Sequence, residues 1–226
     1  MDTRLKDKVC LVTGASGGIG REIARLLHEE GALLVLQGNT QFAGLEQFAA
    51  DSGFGERALC QRLDVSDREA CFAAARDAAQ HFGRLDVCVA NAGQWPTEDV
   101  AFQEMDEGRL RATLDTNLFG AAFTAQAFMS ELARSGPREN EDGASLVFTG
   151  STAARFGERF HADYSISKAA MYGMVRSLKN EITRIDPYAR VNLVEPGWTK
   201  THMARPALQV DETVRNVART LSLRQI

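Results

Sequence analysis

Six short apolar runs recur along the chain: KVCLVTG from Lys8, ALLVLQG from Ala32, ALCQRLDV from Ala58, LDVCVANAG from Leu85, ASLVFTG from Ala144 and ARVNLVEPG from Ala189. Between them lie longer stretches such as GREIARLLHEEG, where apolar residues return every three or four positions. The runs predict strands buried on both faces, since a strand covered on one face would alternate apolar with polar residues. The longer stretches predict amphipathic helices. Regular alternation of the two predicts βαβ units, and so an α/β fold with a doubly wound parallel sheet between two helical layers, three layers in all.

Each apolar run ends in small or polar residues, at Thr13-Gly14, Gly38-Asn39, Asp64, Asn91-Ala92-Gly93, Gly150-Ser151 and Pro196-Gly197. In a doubly wound sheet these breaks share the carboxyl edge, where ligands bind. The polar stretch RSGPRENEDG at 134–143 is predicted as a solvated loop. No internal repeat interrupts the alternation, and residues 1–226 are expected to form one domain.

Composition narrows the function classes. The chain is 44% hydrophobic and 25% charged with a net charge of −4, ordinary globular values without the basic excess that binding a phosphate backbone requires. No nucleic acid partner is expected. No apolar run is long enough to cross a bilayer, and the start MDTRLKDK is charged rather than a signal segment, so a cytoplasmic protein without a membrane partner is expected. Cys10, Cys60, Cys71 and Cys88 show no CxxC spacing, and His28, His81, His161 and His202 form no ligand pair. Reduced, packed thiols and no metal are expected.

The stretch LVTGASGGIG turns from the first predicted strand into a helix. Glycine without a Cβ admits positive φ and lets a pyrophosphate approach amides at the positive helix end. Tight strand-to-helix packing uses the same residues, and the GxxxGxG spacing differs from GxGxxG. The stretch also contains a GxSxG, Gly14-Ala15-Ser16-Gly17-Gly18, that could present Ser16 as a hydrolase nucleophile. Only one strand precedes it, and no acid or histidine partner is marked, so a serine hydrolase is the remote alternative.

A second constellation lies in STAARFGERFHADYSISKAAMYGMVRSLKNEI, where Tyr164 and Lys168 stand four apart on a helical pattern and project from one face. By spacing alone an exposed pair fits as well. Ser151 ends the predicted strand just upstream, toward the same edge, unless it merely satisfies a local turn. Asn117 falls within LRATLDTNLFGAAFTAQAFM, where helix propensity does not favour an amide, although a solvent-facing Asn would explain it.

Together these segments resemble the short-chain dehydrogenase/reductase family. The matching residues are Thr13 to Gly20, Asp64-Val65, Asn91-Ala92-Gly93, Asn117, Ser151, Tyr164-x-x-x-Lys168 and VNLVEPGWTKT from Val191, in the family's order from about Lys6 to Met203. The resemblance implies a Rossmann-type fold and hydride transfer between NAD(P)(H) and a ketone or secondary alcohol, similar to a 3-oxoacyl reductase. It implies Tyr164 as proton donor or acceptor, Ser151 as donor to the substrate oxygen, Lys168 on the ribose hydroxyls, and Asn117 holding a water behind Lys168. A nearby Lys168 ammonium is expected to lower the phenol from its ordinary pKa of about 10.

By the same resemblance Thr13, Gly14, Ser16, Gly18, Ile19 and Gly20 form the cofactor turn. Asp64 and the Val65 backbone meet adenine, and Asn91, Ala92 and Gly93 line the ribose. Pro196-Gly197 turn beneath the nicotinamide, and Thr199 and Thr201 meet its amide. A homodimer or homotetramer through the helices carrying Asn117 and Tyr164 is implied. The alternative from another class is a sensor or scaffold that binds NAD(P) without turnover.

Two departures stand out. Gly38 takes the position where an acid selects NAD, and Gly17 the position where a base selects NADP. With no carboxylate to repel a phosphate, and Asn39 and Thr40 able to donate, NADP(H) is slightly favoured. Family members also continue into another helix and a seventh strand, which are expected to be missing here. For the substrate, Trp95, Phe156, Trp198 and Met203 suggest an apolar pocket. Arg155, Arg159 and His161 are expected in a solvated loop.

Overall fold

The computed structural model describes residues 2–138 and 142–220. All six apolar runs form strands: β1 (Val9–Thr13), β2 (Leu33–Gly38), β3 (Ala58–Arg62), β4 (Val87–Ala90), β5 (Ser145–Thr149) and β6 (Arg190–Val194). They pair in the order β3-β2-β1-β4-β5-β6, every pair parallel. The order reverses at β1, so the crevice beside its carboxyl end is the place for a ligand.

The pleat of β1 sorts its side chains into two cores. Val9 and Leu11 face a layer formed by α3 (Arg68–Phe82), α5 (Gly120–Ser135) and α7 (Ala162–Ile182), with Phe128, Leu132, Phe148 and Met171 at its centre. Cys10 and Val12 face α1 (Gly18–Glu29) and α2 (Phe42–Asp51), against Ala24, Leu34, Leu36 and Leu45. Each fully buried Leu contributes about 2 kcal/mol. All four cysteines are free thiols.

Two local features shape the site. Between α4 (Glu107–Leu114) and α5 the backbone widens into one π turn, Asp115–Phe119. That extra residue per turn swings Asn117 inward, where it is fully buried, so the solvent-facing alternative does not hold. The short α6 (Ala153–Phe156) follows β5, and α8 (Arg205–Leu208) and α9 (Asp211–Thr220) follow β6. Residues 139–141 of the expected loop lie outside the described residues, as do 221–226. Among the described residues no helix is long and apolar enough to cross a membrane.

Candidate active site

A cavity of about 450 Å³ opens at the carboxyl edge of the sheet. Gly14, Ser16, Gly18, Ile19, Gly20, Asn91, Gly93, Ser151, Tyr164, Lys168, Pro196, Gly197, Thr199 and Thr201 all line it. These sequence-predicted residues therefore converge, although they come from the segments after β1, β4, β5 and β6 and from α7.

The floor is the turn after β1. Gly14 has φ +63°, and a Cβ there would lie 2.8 Å from Ala92 Cα, so the backbones of two loops approach as only glycine permits. A Cβ on Gly20 would fall 2.3 Å from Gly14 O. The Thr13 hydroxyl braces this contact by accepting the amides of Asn91 and Ala92, both at 3.0 Å. Asn91 Nδ2 donates in return to Thr13 O at 3.0 Å. Helix α1 starts just after Gly17 with no side-chain cap and no acid in its first turn, leaving its amides available to an anion. Gly14→Ala is expected to cost about 2 kcal/mol of stability, combining positive-φ strain with overpacking, and to weaken dinucleotide binding. Urea unfolding and a cofactor titration check the two effects.

The chemistry gathers on α7. Ser151 donates a hydrogen bond to the Tyr164 hydroxyl, while its own oxygen accepts from the Ala153 amide at 3.1 Å. Lys168 is 3% exposed; its Nζ donates to Thr149 O at 2.8 Å and lies 5.7 Å from the Tyr164 ring centre. Burial pushes the Lys168 ammonium down to about 8. Contrary to the expectation from sequence, the Tyr164 phenol sits above its ordinary value: burial raises it most, the Ser151 hydrogen bond opposes, and the Glu158 charge adds to the rise. The Lys168 ammonium spends one N–H on Thr149 O.

Asn117 lies behind this pair. Its Oδ1 accepts the Gln94 amide at 2.7 Å, and its Nδ2 donates to Gln94 O at 3.0 Å and Ser167 Oγ at 3.1 Å. It fixes the loop after β4 rather than lining the cavity. Thr13 and Ala92 likewise act from beneath. Asp64, Val65 and Asn39 are not part of the lining, and the Asn39 side chain faces Asp64. Thr40 and Gln41 line that end instead. Gly44, on α2, is tied to the turn through Arg21, which donates to Ser16 O and Gly44 O, each at 3.1 Å.

At the other end Trp95, Trp198 and Met203 line the cavity as expected. Phe156 does not; it is 77% exposed. His161 also departs from expectation, being buried rather than solvated. Its ring stacks on Trp95 at 3.9 Å, Nδ1 accepts from Arg109 Nη2 at 3.3 Å, and Nε2 donates to Asp99 at 3.1 Å. Burial holds its pKa below the usual value, in keeping with that neutral tautomer. Arg109 further binds Asp163 at 3.0 Å, beside Tyr164, and donates to Glu98 O and Phe160 O. Burial works to raise the Asp163 carboxyl, but hydrogen bonds from Arg109 and Thr113 prevail and lower it. Asp163→Ala strands the Arg109 charge and is expected to destabilise the fold by about 3 kcal/mol, read by chemical unfolding.

This site matches known proteins along nearly the whole chain. The model of the short chain dehydrogenase family covers residues 8–211. The protein belongs to that family. It is 32% identical over 206 residues to the NADP-dependent mannitol dehydrogenase of Aureobasidium melanogenum, covering 88% of this chain and 73% of that enzyme. It is 30% identical over 201 residues to the 3-oxoacyl acyl-carrier-protein reductase of Thermotoga maritima, covering 88% and 77%. A short-chain dehydrogenase/reductase crystal structure from Brucella melitensis superposes with a TM-score of 0.88 at 30% identity, covering 100% of this chain and 86% of that one. As a short-chain dehydrogenase, the protein is an NAD(P)-dependent oxidoreductase acting on carbonyl or alcohol groups.

The cavity fits such a dinucleotide on its own geometry. Gly14 and Gly20 leave a cradle that a Cβ would fill, the start of α1 offers amides to a pyrophosphate, and buried Lys168, among the described residues, gives a hydrogen bond to one backbone carbonyl. Sequence reasoning did not single out Gln94, Gln41, Thr152 or Glu158, all of which line the cavity. Gln94 carried no signal beyond following the Asn91-Ala92-Gly93 motif, and Glu158 none beyond its place between Ser151 and Tyr164.

Proposed function

We propose that this dehydrogenase reduces a ketone to a secondary alcohol with NADPH, using Ser151, Tyr164, Lys168 and Asn117. One observation carries the reading: a half-buried phenol on the cavity wall, kept protonated, hydrogen-bonded to a serine and backed by a buried lysine. Bound NADPH supplies hydride to the carbonyl carbon. The Ser151 hydroxyl donates to the substrate oxygen as negative charge grows there. Tyr164 delivers a proton to that oxygen; its raised pKa keeps the proton on the phenol until it is needed. Lys168, mostly ammonium at pH 7, has two further N–H groups for ribose hydroxyls and balances the phenolate left behind. Asn117 holds the loop at Gln94, and with it the cavity wall at Gly93 and Trp95.

The NADPH preference is supported by Gly38 in place of an acid and by exposed Thr40 at the ribose end. A 3-oxoacyl thioester belongs in the first substrate panel because of the 30% identity to the Thermotoga maritima 3-oxoacyl acyl-carrier-protein reductase. The reading also includes a cytoplasmic location and, supported by exposed Phe119 at the head of α5 and Ile166 on α7, a homodimer or homotetramer. The test is oxidation of NADPH with a panel of ketones. Turnover that requires Tyr164 supports the enzyme; tight cofactor binding with no turnover supports the sensor. A second arm compares Kd for the two reduced cofactors, and tenfold tighter NADH binding rejects the preference.

A further inference from the structure

Among the residues lining the cavity, Glu158 is the sole carboxylate. It stands on the loop between α6 and α7, anchored by its amide, which donates to Ser165 Oγ at 3.0 Å. The side chain is half-buried, yet among the described residues no hydrogen bond or ion pair reaches its carboxylate. The neighbouring cations are turned elsewhere: Arg155 lies over the Phe156 ring at 5.6 Å and Arg159 over Phe160 at 4.6 Å. It lines the same cavity as Ser151 and Tyr164, and its amide bond to Ser165 fastens its loop to the first turn of α7, one residue past Tyr164. Burial and the nearby Asp99 both raise its pKa, as expected of a carboxylate without a donor.

A half-buried carboxylate has lost part of its hydration and has no protein donor among the described residues, so it is free to accept from a substrate donor. A substrate carboxylate would instead face like charge in a partly dry site. Trp95 and Trp198, 6.0 Å apart, give the same end of the cavity flat apolar faces suited to carbon-bound hydrogens.

Building on the ketone-reductase reading, we propose that Glu158 is a specificity-determining residue, selecting carbonyl substrates that carry a hydroxyl next to the reacting carbon and excluding those that carry a carboxylate there. Acetone, hydroxyacetone and pyruvate test it, since they differ only in the group attached to the acetyl unit. The wild-type protein should favour hydroxyacetone over acetone, and over pyruvate by about a hundredfold in kcat/KM. E158Q should narrow the hydroxyacetone-to-pyruvate ratio to about tenfold or less, because it removes the charge and keeps the shape. Glu158→Asp, which retains the charge, should keep pyruvate excluded.

Binding is read separately from turnover. Saturation-transfer NMR on the NADPH-loaded Tyr164→Phe protein, with and without E158Q, should show the same order of affinities even if reduction fails. Failure of the reductase reading is then visible apart from failure of this one. A ratio that moves less than threefold in E158Q, or no preference for hydroxyacetone over acetone in either measurement, overturns the proposal.

Discussion

Replacing Tyr164 with Phe is expected to lower kcat for ketone reduction by about a thousandfold while cofactor affinity changes little. The substitution removes one oxygen and leaves the ring, so the edge contact with Trp95, centres 4.8 Å apart, survives. What disappears is the proton donor and the hydrogen bond shared with Ser151. Loss of an acid used only as charge develops should fall on kcat rather than KM. Stopped-flow absorbance of NADPH with wild-type and variant protein measures it. A rise in KM of that size with kcat unchanged would mean that the phenol only holds the substrate.

Lys168→Met should act in opposite directions on catalysis and stability. Two lost charge-assisted hydrogen bonds to ribose hydroxyls predict a fall in kcat/KM of about a thousandfold. Stability of the cofactor-free protein should rise. The Lys168 ammonium is held at about 8 when folded, below its ordinary 10.5 when unfolded, because burial penalises the charge. A group whose folded pKa is depressed in this way opposes folding fully below pH 8 and ceases to do so as pH climbs through 8 to 10.5. The difference corresponds to about 3 kcal/mol, less whatever the Thr149 carbonyl loses with its donor. Urea unfolding at pH 7 and pH 10 should show the variant more stable at pH 7, with the gap closing at pH 10. A variant less stable at both values would contradict the burial argument.

The strands were legible because both their faces are covered, which removes polar alternation and leaves bare apolar runs. The cluster of Ser151, Tyr164 and Lys168 was legible because helical spacing and a strand end are local features. The misreadings involve contacts far apart in sequence. His161 looks solvated among Arg155, Arg159 and Glu158, but Trp95, Asp99 and Arg109 reach it from other loops. The π turn at Asn117 left no trace because one added residue barely disturbs a helical apolar pattern. Phe156 was placed by its neighbours in sequence, and the turn at Gly157, with φ +74°, ends its helix with that ring in solvent.

The central claim is that hydrogen passes from NADPH to a carbonyl carbon while Tyr164 protonates the oxygen. Single-turnover reaction of protein loaded with NADPH deuterated on the transferring face tests it, with the product analysed by mass spectrometry. The account predicts deuterium on the carbinol carbon of the alcohol, formed about a thousandfold more slowly in Tyr164→Phe with NADPH still bound. Unlabelled alcohol, or label transfer at the same rate in both proteins, would contradict it.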